Sequence, residues 1–456
     1  MEKENLSSRL GFILLSAGCA IGLGNVWRFP FITGVYGGAA FVLIYLLFLI
    51  ILGLPIIVAE FSVGRASAHS VGKSMDVLEK QGTKWHWFKY PAYLGNIILM
   101  MFYTVVAGWI FNYLCRMITG GFVGLTPAQV GAAFGGMVSD PQQQIICLAI
   151  IVFSAFGVCY LGINRGVERI TKPMMICLFL LITVLVFKSC SLDGATEGLK
   201  YYLLPDFDRL MKEGLSKAFF AAMGQAFFTL GLGVGSLAIF GSYIGRERSL
   251  TGEAIWVIVL DTFIAMMSGL IIFPACSAFG VNQAAGPVLI FITLPNIFNT
   301  MSGGQFWGTL FFLFMLFAAF STIIAVFENI VAITTDIFNV KRRQAIKVLM
   351  FVMFVLGLPC VFGFNIWSGF QPMGPGTCVL DLEDFILSNN IIPLGSIIYI
   401  LFCTQKFGWG WDNFIKEANT GTGVKFPAGT RLYLTYGLPV IILLIFINGY
   451  IAIFGK

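Results

Sequence analysis

Eleven apolar stretches, each close to the length that crosses a bilayer, decide what this chain can fold into. A spanning helix needs about 20 mostly apolar residues. Candidate spans cover residues 10–35, 39–64, 90–117, 142–160, 172–190, 216–243, 253–279, 305–337, 345–363, 384–404 and 431–454 of the 456. Only 11% of the residues are charged, against about 25% in soluble domains. The expected fold is therefore an all-α polytopic membrane protein, with the lipid bilayer as its solvent.

The basic residues sort by loop. Arg65, Lys73, Lys80, Lys84 and Lys89 follow span 2, Arg165 and Arg169 follow span 4, Arg246 and Arg248 follow span 6, and Lys341, Arg342, Arg343 and Lys347 follow span 8. The alternate loops are acidic or uncharged, except 190–215, which carries both signs. The positive-inside rule then predicts a cytoplasmic N-terminus and, after eleven spans, an extracytoplasmic C-terminus in the cell membrane. The first apolar stretch lacks a small-residue cleavage site, so no signal peptide is expected. The sequon at Asn5 falls on the predicted cytoplasmic side. Ten cysteines scatter through the spans without metal-ligand spacing and read as small packing residues. No Walker sequence, zinc spacing or nucleophile elbow is present, and nothing implies nucleic acid or an obligate protein partner.

Two spans carry their own helix breakers. Span 1 contains SAGCAIGLGNVWRFP, with Gly18, Gly22 and Gly24 followed by Asn25, Arg28 and Pro30. Span 6 contains Gly231, Gly233 and Gly235 at alternate positions. Each interior glycine costs about 1 kcal/mol relative to alanine. Packing faces use i, i+4 spacing; the glycines of span 6 point to different sides, whereas Gly18 and Gly22 fit it, so close packing stays an alternative for span 1. Interrupted helices at matching places in two halves mark inverted-repeat transporters. Residues 1–190 and 216–404 would be the repeats, with 431–454 as an additional span. Non-helical backbone is tolerated at membrane depth only where it lines a protein cavity. There, freed carbonyls hold cations and half-helix N-termini hold carboxylates.

GLGNVWRFP, preceded by GFILLSAGCAI, resembles the first helix of the neurotransmitter:sodium symporters. GQAFFTLGLGVG is similar to that family's broken sixth helix and FAAFSTIIA to its eighth. GLPIIVAEFSVGR, NRGVERITK and FITLPNIF extend the likeness nearly end to end. The short eleven-helix bacterial amino-acid transporters are the branch it is most similar to. The resemblance implies a 5+5 inverted-repeat fold with broken helices 1 and 6, alternating access, and no enzymatic activity.

The same resemblance implies a first sodium site from the Ala20 carbonyl, the Asn25 amide oxygen, Thr229 and the side chain of Asp261, completed by the substrate carboxylate. A second would use the carbonyls of Gly18, Ile21 and Ala318 with the hydroxyls of Ser321 and Thr322. Ordinary hydroxyl bonding back to helix carbonyls is the alternative for that pair. Tyr103 matches the tyrosine that binds the substrate carboxylate, beside Ala20 and the main-chain N–H groups of Leu23 and Gly24. Leu99, Phe228, Gly231, Val234 and Val326 would line the side-chain pocket. Arg28 and Asp384 match an outer gate with Phe228 as lid. Asp336, Tyr243 and either Arg9 or Lys3 match an inner gate, where Leu6 replaces a tryptophan of some relatives. Glu60 matches a glutamate that braces the unwound sixth helix. Glu328 matches no role, and a structural partner inside the bundle is expected for it, since a charge at membrane depth is costly.

Monoamine-transporting relatives carry an aspartate where this chain has Gly22, so the substrate is expected to bring its own carboxylate, as an amino acid does. Gly231 and Val234 enlarge the apolar pocket, which implies a neutral, bulky hydrophobic or aromatic side chain. Two sodium ions and no chloride are expected, for one departure from the family pattern. The position of Asp261 is commonly asparagine, and a serine that helps hold chloride is replaced by Ala265. Tyr45, Gln225 and Thr229 match the rest of that anion site, so the Asp261 carboxylate would supply the charge itself. The alternative is a neutral carboxyl standing in for the amide. A sodium-coupled transporter of a different small solute, such as a small neutral amino acid or an amine, and less directly an ion channel, are the competing functions.

Overall fold

The computed structural model describes residues 9–281 and 289–455; Lys3, Asn5 and Leu6 lie outside them. Among the described residues the chain is helical throughout, with one isolated bridge between Arg248 and Thr422 and no strand. Among the described residues, nine helices are long and apolar enough to cross a membrane: Ala39–Ser67, Trp85–Ile118, Pro141–Tyr160, Ile163–Cys190, Leu250–Ala278, Gly304–Phe338, Arg342–Phe362, Val379–Thr404 and Ala428–Phe454. They are spans 2 to 5 and 7 to 11. Span 1 is a bent pair, Arg9–Ala20 and Gly24–Val35, with axes 55° apart. Span 6 is the pair Leu215–Thr229 and Ser236–Gly241. The architecture is the all-α inverted-repeat transporter fold with broken helices 1 and 6 and an eleventh helix.

Burial sets the order of the bundle. In spans 3 and 8, 72% of the most apolar window is buried inside protein, whereas in span 11 the value is 17%. Spans 3 and 8 thus form the central wall, and span 11 turns Leu432, Tyr436, Leu444 and Ile451 outward, as a lipid-facing helix must.

At one end of the bundle, polar pairs tie the short connections together. Arg65 at the end of span 2 donates to Glu417 Oε1 at 2.7 Å and to the Arg248 carbonyl at 2.7 Å. It thereby joins the 6–7 connection to the short helix Trp411–Ala418. Glu328, the acid in span 8 without an assigned role, is almost fully buried. It pairs with both Arg342 nitrogens, Oε2 at 2.6 Å from Nη2, and Nη2 also donates to the Cys159 carbonyl at 2.9 Å. Every charge in that cluster is bonded, which is what makes burial there tolerable.

Candidate functional site

The two breaks face each other in the middle of the bundle. In span 6, Gly231, Gly233 and Gly235 have φ of +57°, +81° and +71°, a region that residues with a Cβ avoid. Alternate glycines therefore unwind the helix and expose its backbone groups. Glu60 on span 2 collects two of them, accepting from Gly233 N–H at 2.6 Å and Leu237 N–H at 3.2 Å. Glu60→Ala removes both charge-assisted bonds and leaves two buried donors, a loss of about 3 kcal/mol or more. Thermal unfolding in detergent should show a lower midpoint for this variant, with Glu60→Gln losing less because its amide oxygen still accepts.

The residues assigned to the first sodium site converge. Asn25, Thr229 and Asp261 are all buried. Asn25 Nδ2 donates to Asp261 Oδ1 at 2.8 Å and to the Asp261 carbonyl at 3.0 Å. Thr229 Oγ1 lies 3.2 Å from Asp261 Oδ2. Asn25 Oδ1 accepts from Gly22 N–H at 3.0 Å, and Gln225 Nε2 donates to the Gly24 carbonyl at 3.1 Å. Ala20 and Tyr45 are buried as well. One carboxylate and several hard oxygens in a dry pocket suit an alkali cation.

A second cluster joins span 1 to span 8. Thr322 Oγ1 lies 2.9 Å from the Ile21 carbonyl, 3.1 Å from that of Gly18 and 3.3 Å from that of Ala318. Ser321 Oγ donates to the Ala318 carbonyl at 2.9 Å. Back-bonding to the helix and the cross-helix cage thus occur together at Thr322: one hydroxyl proton faces three carbonyls, two of them from the broken span.

Tyr103 of span 3 reaches the same break, its Oη accepting from Leu23 N–H at 2.9 Å. A Cβ at Gly22 would stand 2.3 Å from Tyr103 Oη and 2.8 Å from Thr322 Oγ1. The space that an acidic side chain would need is filled by the tyrosine. Around it, a Cβ at Gly24 would touch the Phe228 ring at 3.2 Å, Val234 packs against Gly95 of span 3, and a Cβ at Gly231 would meet nothing within 4 Å. Leu99 and Phe228 are half-buried and Val326 is buried.

The two sets of residues matched to gates are arranged differently. Arg28 and Phe228 line a cavity of about 660 Å³ that continues to spans 10 and 11. The Arg28 guanidinium stacks 4.1 Å above the Phe228 ring, a cation–π contact. Among the described residues no ion pair joins Arg28 to Asp384, which instead accepts from Ser388 Oγ at 2.6 Å. At the other end, Asp336 accepts from Ser70 N–H at 2.9 Å, Ser70 Oγ at 2.6 Å and His69 Nδ1 at 3.2 Å. Among the described residues Arg9 does not join it. Its half-helix packs on span 7, where buried Glu253 is the nearer acid, 3.1 Å from Arg9 Nε. The alternative, Lys3, lies outside the described residues. Tyr243 is half-buried just beyond the second half of span 6. His69 had no signal in the sequence beyond being a loop histidine.

Paired broken helices, with buried oxygen clusters between them, define a secondary transporter of the inverted-repeat class. The sequence pattern of the Sodium:neurotransmitter symporter family matches residues 3–123 and 135–454, and the chain belongs to that family. An uncharacterized sodium-dependent transporter of Bacillus subtilis (strain 168) is 33% identical over 449 residues, covering 97% of this chain and 96% of the relative. The sodium-dependent serotonin transporter of Drosophila melanogaster is 27% identical over 509 residues, covering 100% of this chain and 78% of its own. The crystal structure of MhsT in complex with L-phenylalanine superposes with a TM-score of 0.87 at 34% identity, over 98% of this chain and 100% of that one. The protein is a sodium-dependent transporter, not an enzyme.

Proposed function

We propose that this chain imports neutral, bulky hydrophobic or aromatic L-amino acids across the cell membrane, driven by two sodium ions and without chloride. The observation that carries the reading is the Tyr103 hydroxyl seated on Leu23 N–H against Gly22. The phenol fills the space that an acidic side chain at position 22 would need to meet a substrate amine, and it puts a hydroxyl at the span 1 break for a substrate carboxylate. The open space at Gly231 and the apolar walls suit a large uncharged side chain, and the MhsT neighbour holds phenylalanine. In this reading Ala20, Asn25, Thr229 and Asp261 hold the first sodium, and Gly18, Ile21, Ala318, Ser321 and Thr322 the second. Arg28 and Asp384 flank the outer side. The N-terminus is cytoplasmic and the C-terminus extracytoplasmic, with repeats at 1–190 and 216–404. Uptake into proteoliposomes under a sodium gradient, across a panel of amino acids and amines, tests the substrate class. Saturable uptake of an amine in preference to every amino acid overturns it.

Apolar discrimination is about 1–3 kcal/mol per methylene, so filling the pocket should reorder substrates rather than abolish transport. Gly231→Ser with Val234→Phe is expected to lower tryptophan uptake relative to leucine by about tenfold. Competition between the two in the double variant checks this. An unchanged ratio places the side chain elsewhere.

A further inference from the structure

Asn96 of span 3 and Asn329 of span 8 are both fully buried, and the hydrogen bonds around them decide how each amide is turned. Asn96 Nδ2 donates to the Ala92 carbonyl at 2.8 Å and the Val234 carbonyl at 2.9 Å. Carbonyls only accept, so the Asn96 amide has one orientation. Its Oδ1 then accepts from Ser236 Oγ at 2.9 Å and from Asn329 Nδ2 at 2.9 Å. Asn329 must therefore offer its NH₂ to Asn96. Its own Oδ1 is left over, a buried acceptor without a partner among the described residues.

The place of this oxygen follows from helical register. Asn96 lies three residues before Leu99 and seven before Tyr103, and Asn329 lies three after Val326 and seven after Thr322. Seven residues make two turns, so each asparagine shares a face with the groups named, about 10 Å further along its helix. Both helices thus place the cluster beyond the pocket walls on the side away from the carboxylate groups, and Val234 and Ser236 of the broken span bridge the two.

We propose that Asn329 Oδ1 is a specificity determinant, accepting a hydrogen bond from a donor at the far end of the substrate side chain. The donors of matching chemistry are a tyrosine phenol and a tryptophan indole N–H; phenylalanine, leucine and methionine have none. An unpartnered buried amide oxygen costs about 1–3 kcal/mol, and a donor-bearing substrate removes that cost on binding. The inference rests on the amino-acid reading above and goes beyond it by ranking substrates of similar size.

The test is competition against labelled leucine in proteoliposomes holding the full chain. The ligands are phenylalanine, tyrosine, O-methyltyrosine, tryptophan and 1-methyltryptophan. In the wild type, tyrosine should compete better than phenylalanine or O-methyltyrosine, and tryptophan better than 1-methyltryptophan, each by about tenfold. In Asn329→Leu the same ratios should fall to within about twofold, with leucine and phenylalanine still transported. Asn329→Val makes the same comparison if the leucine variant cannot be recovered. A wild type indifferent to the donor, or a donor preference unchanged in the variants, overturns the proposal. Sodium-driven uptake of amino acids without a donor preference sinks this inference alone. Absence of any amino-acid uptake sinks the proposed function instead.

Discussion

Asn25→Ala should weaken sodium and substrate together, each by at least about tenfold, the equivalent of ~1.4 kcal/mol. Asn25 stands at the junction of the two: its Nδ2 donates to Asp261 Oδ1 and to the Asp261 main-chain carbonyl, and its Oδ1 accepts from Gly22 N–H at the span 1 break. In the proposed site the substrate carboxylate is itself a ligand of the first sodium. Linkage is reciprocal: the factor by which bound sodium raises substrate affinity is the factor by which bound substrate raises sodium affinity, so damage to the shared site weakens both. Sodium-dependent binding of labelled phenylalanine, measured over a range of sodium concentrations, checks this. Normal substrate affinity at every sodium concentration, despite a lost sodium response, would contradict the shared site.

Asp261→Asn combined with Ala265→Ser should make uptake depend on chloride. Two cations in a low-dielectric interior need compensating negative charge. Asp261 is placed to supply it, bonded to Asn25 and Thr229, with Tyr45 and Gln225 buried nearby. Removing the carboxylate while restoring a hydroxyl one turn on leaves room and partners for an anion. Uptake by the wild type is expected to be equal in chloride and in gluconate. Uptake by the double variant in gluconate should fall at least about tenfold below its value in chloride. A wild type that stalls in gluconate removes the basis of this reading.

The membrane architecture was legible because its signals are local. Apolar length alone placed span 3 at 90–117, and the helix is Lys89–Ile118; span 8 at 305–337 is Gly304–Phe338. The helix breaks were legible because alternate glycines act on their own backbone, as the positive φ at Gly231, Gly233 and Gly235 shows. Short helices such as Pro127–Ser139, Ala195–Leu203 and Trp411–Ala418 were not, because so few residues carry too little periodicity. Side-chain partners far apart in sequence were also hidden. Arg65 meets Glu417 across 352 positions, and Asn96 meets Asn329 across 233. Nothing in one sequence says which of several buried polar groups will meet. The same limit explains Arg9: its charge was visible, but the choice between Asp336 and Glu253 is made by how a half-helix packs.

The Thr322 hydroxyl carries a consequence for the timing of ion entry. One proton serves three carbonyls there, so at any moment two of them lack it. In the proposed second sodium site, a cation arriving between span 1 and span 8 needs the oxygen of that hydroxyl, not its hydrogen. The proton must swing away as the ion docks, a torsional flip of one side chain in the picosecond-to-nanosecond range typical of rotamer changes. The two halves would be stitched together by the metal within the lifetime of a single rotamer, long before a gate of whole helices, moving in microseconds to milliseconds, responds.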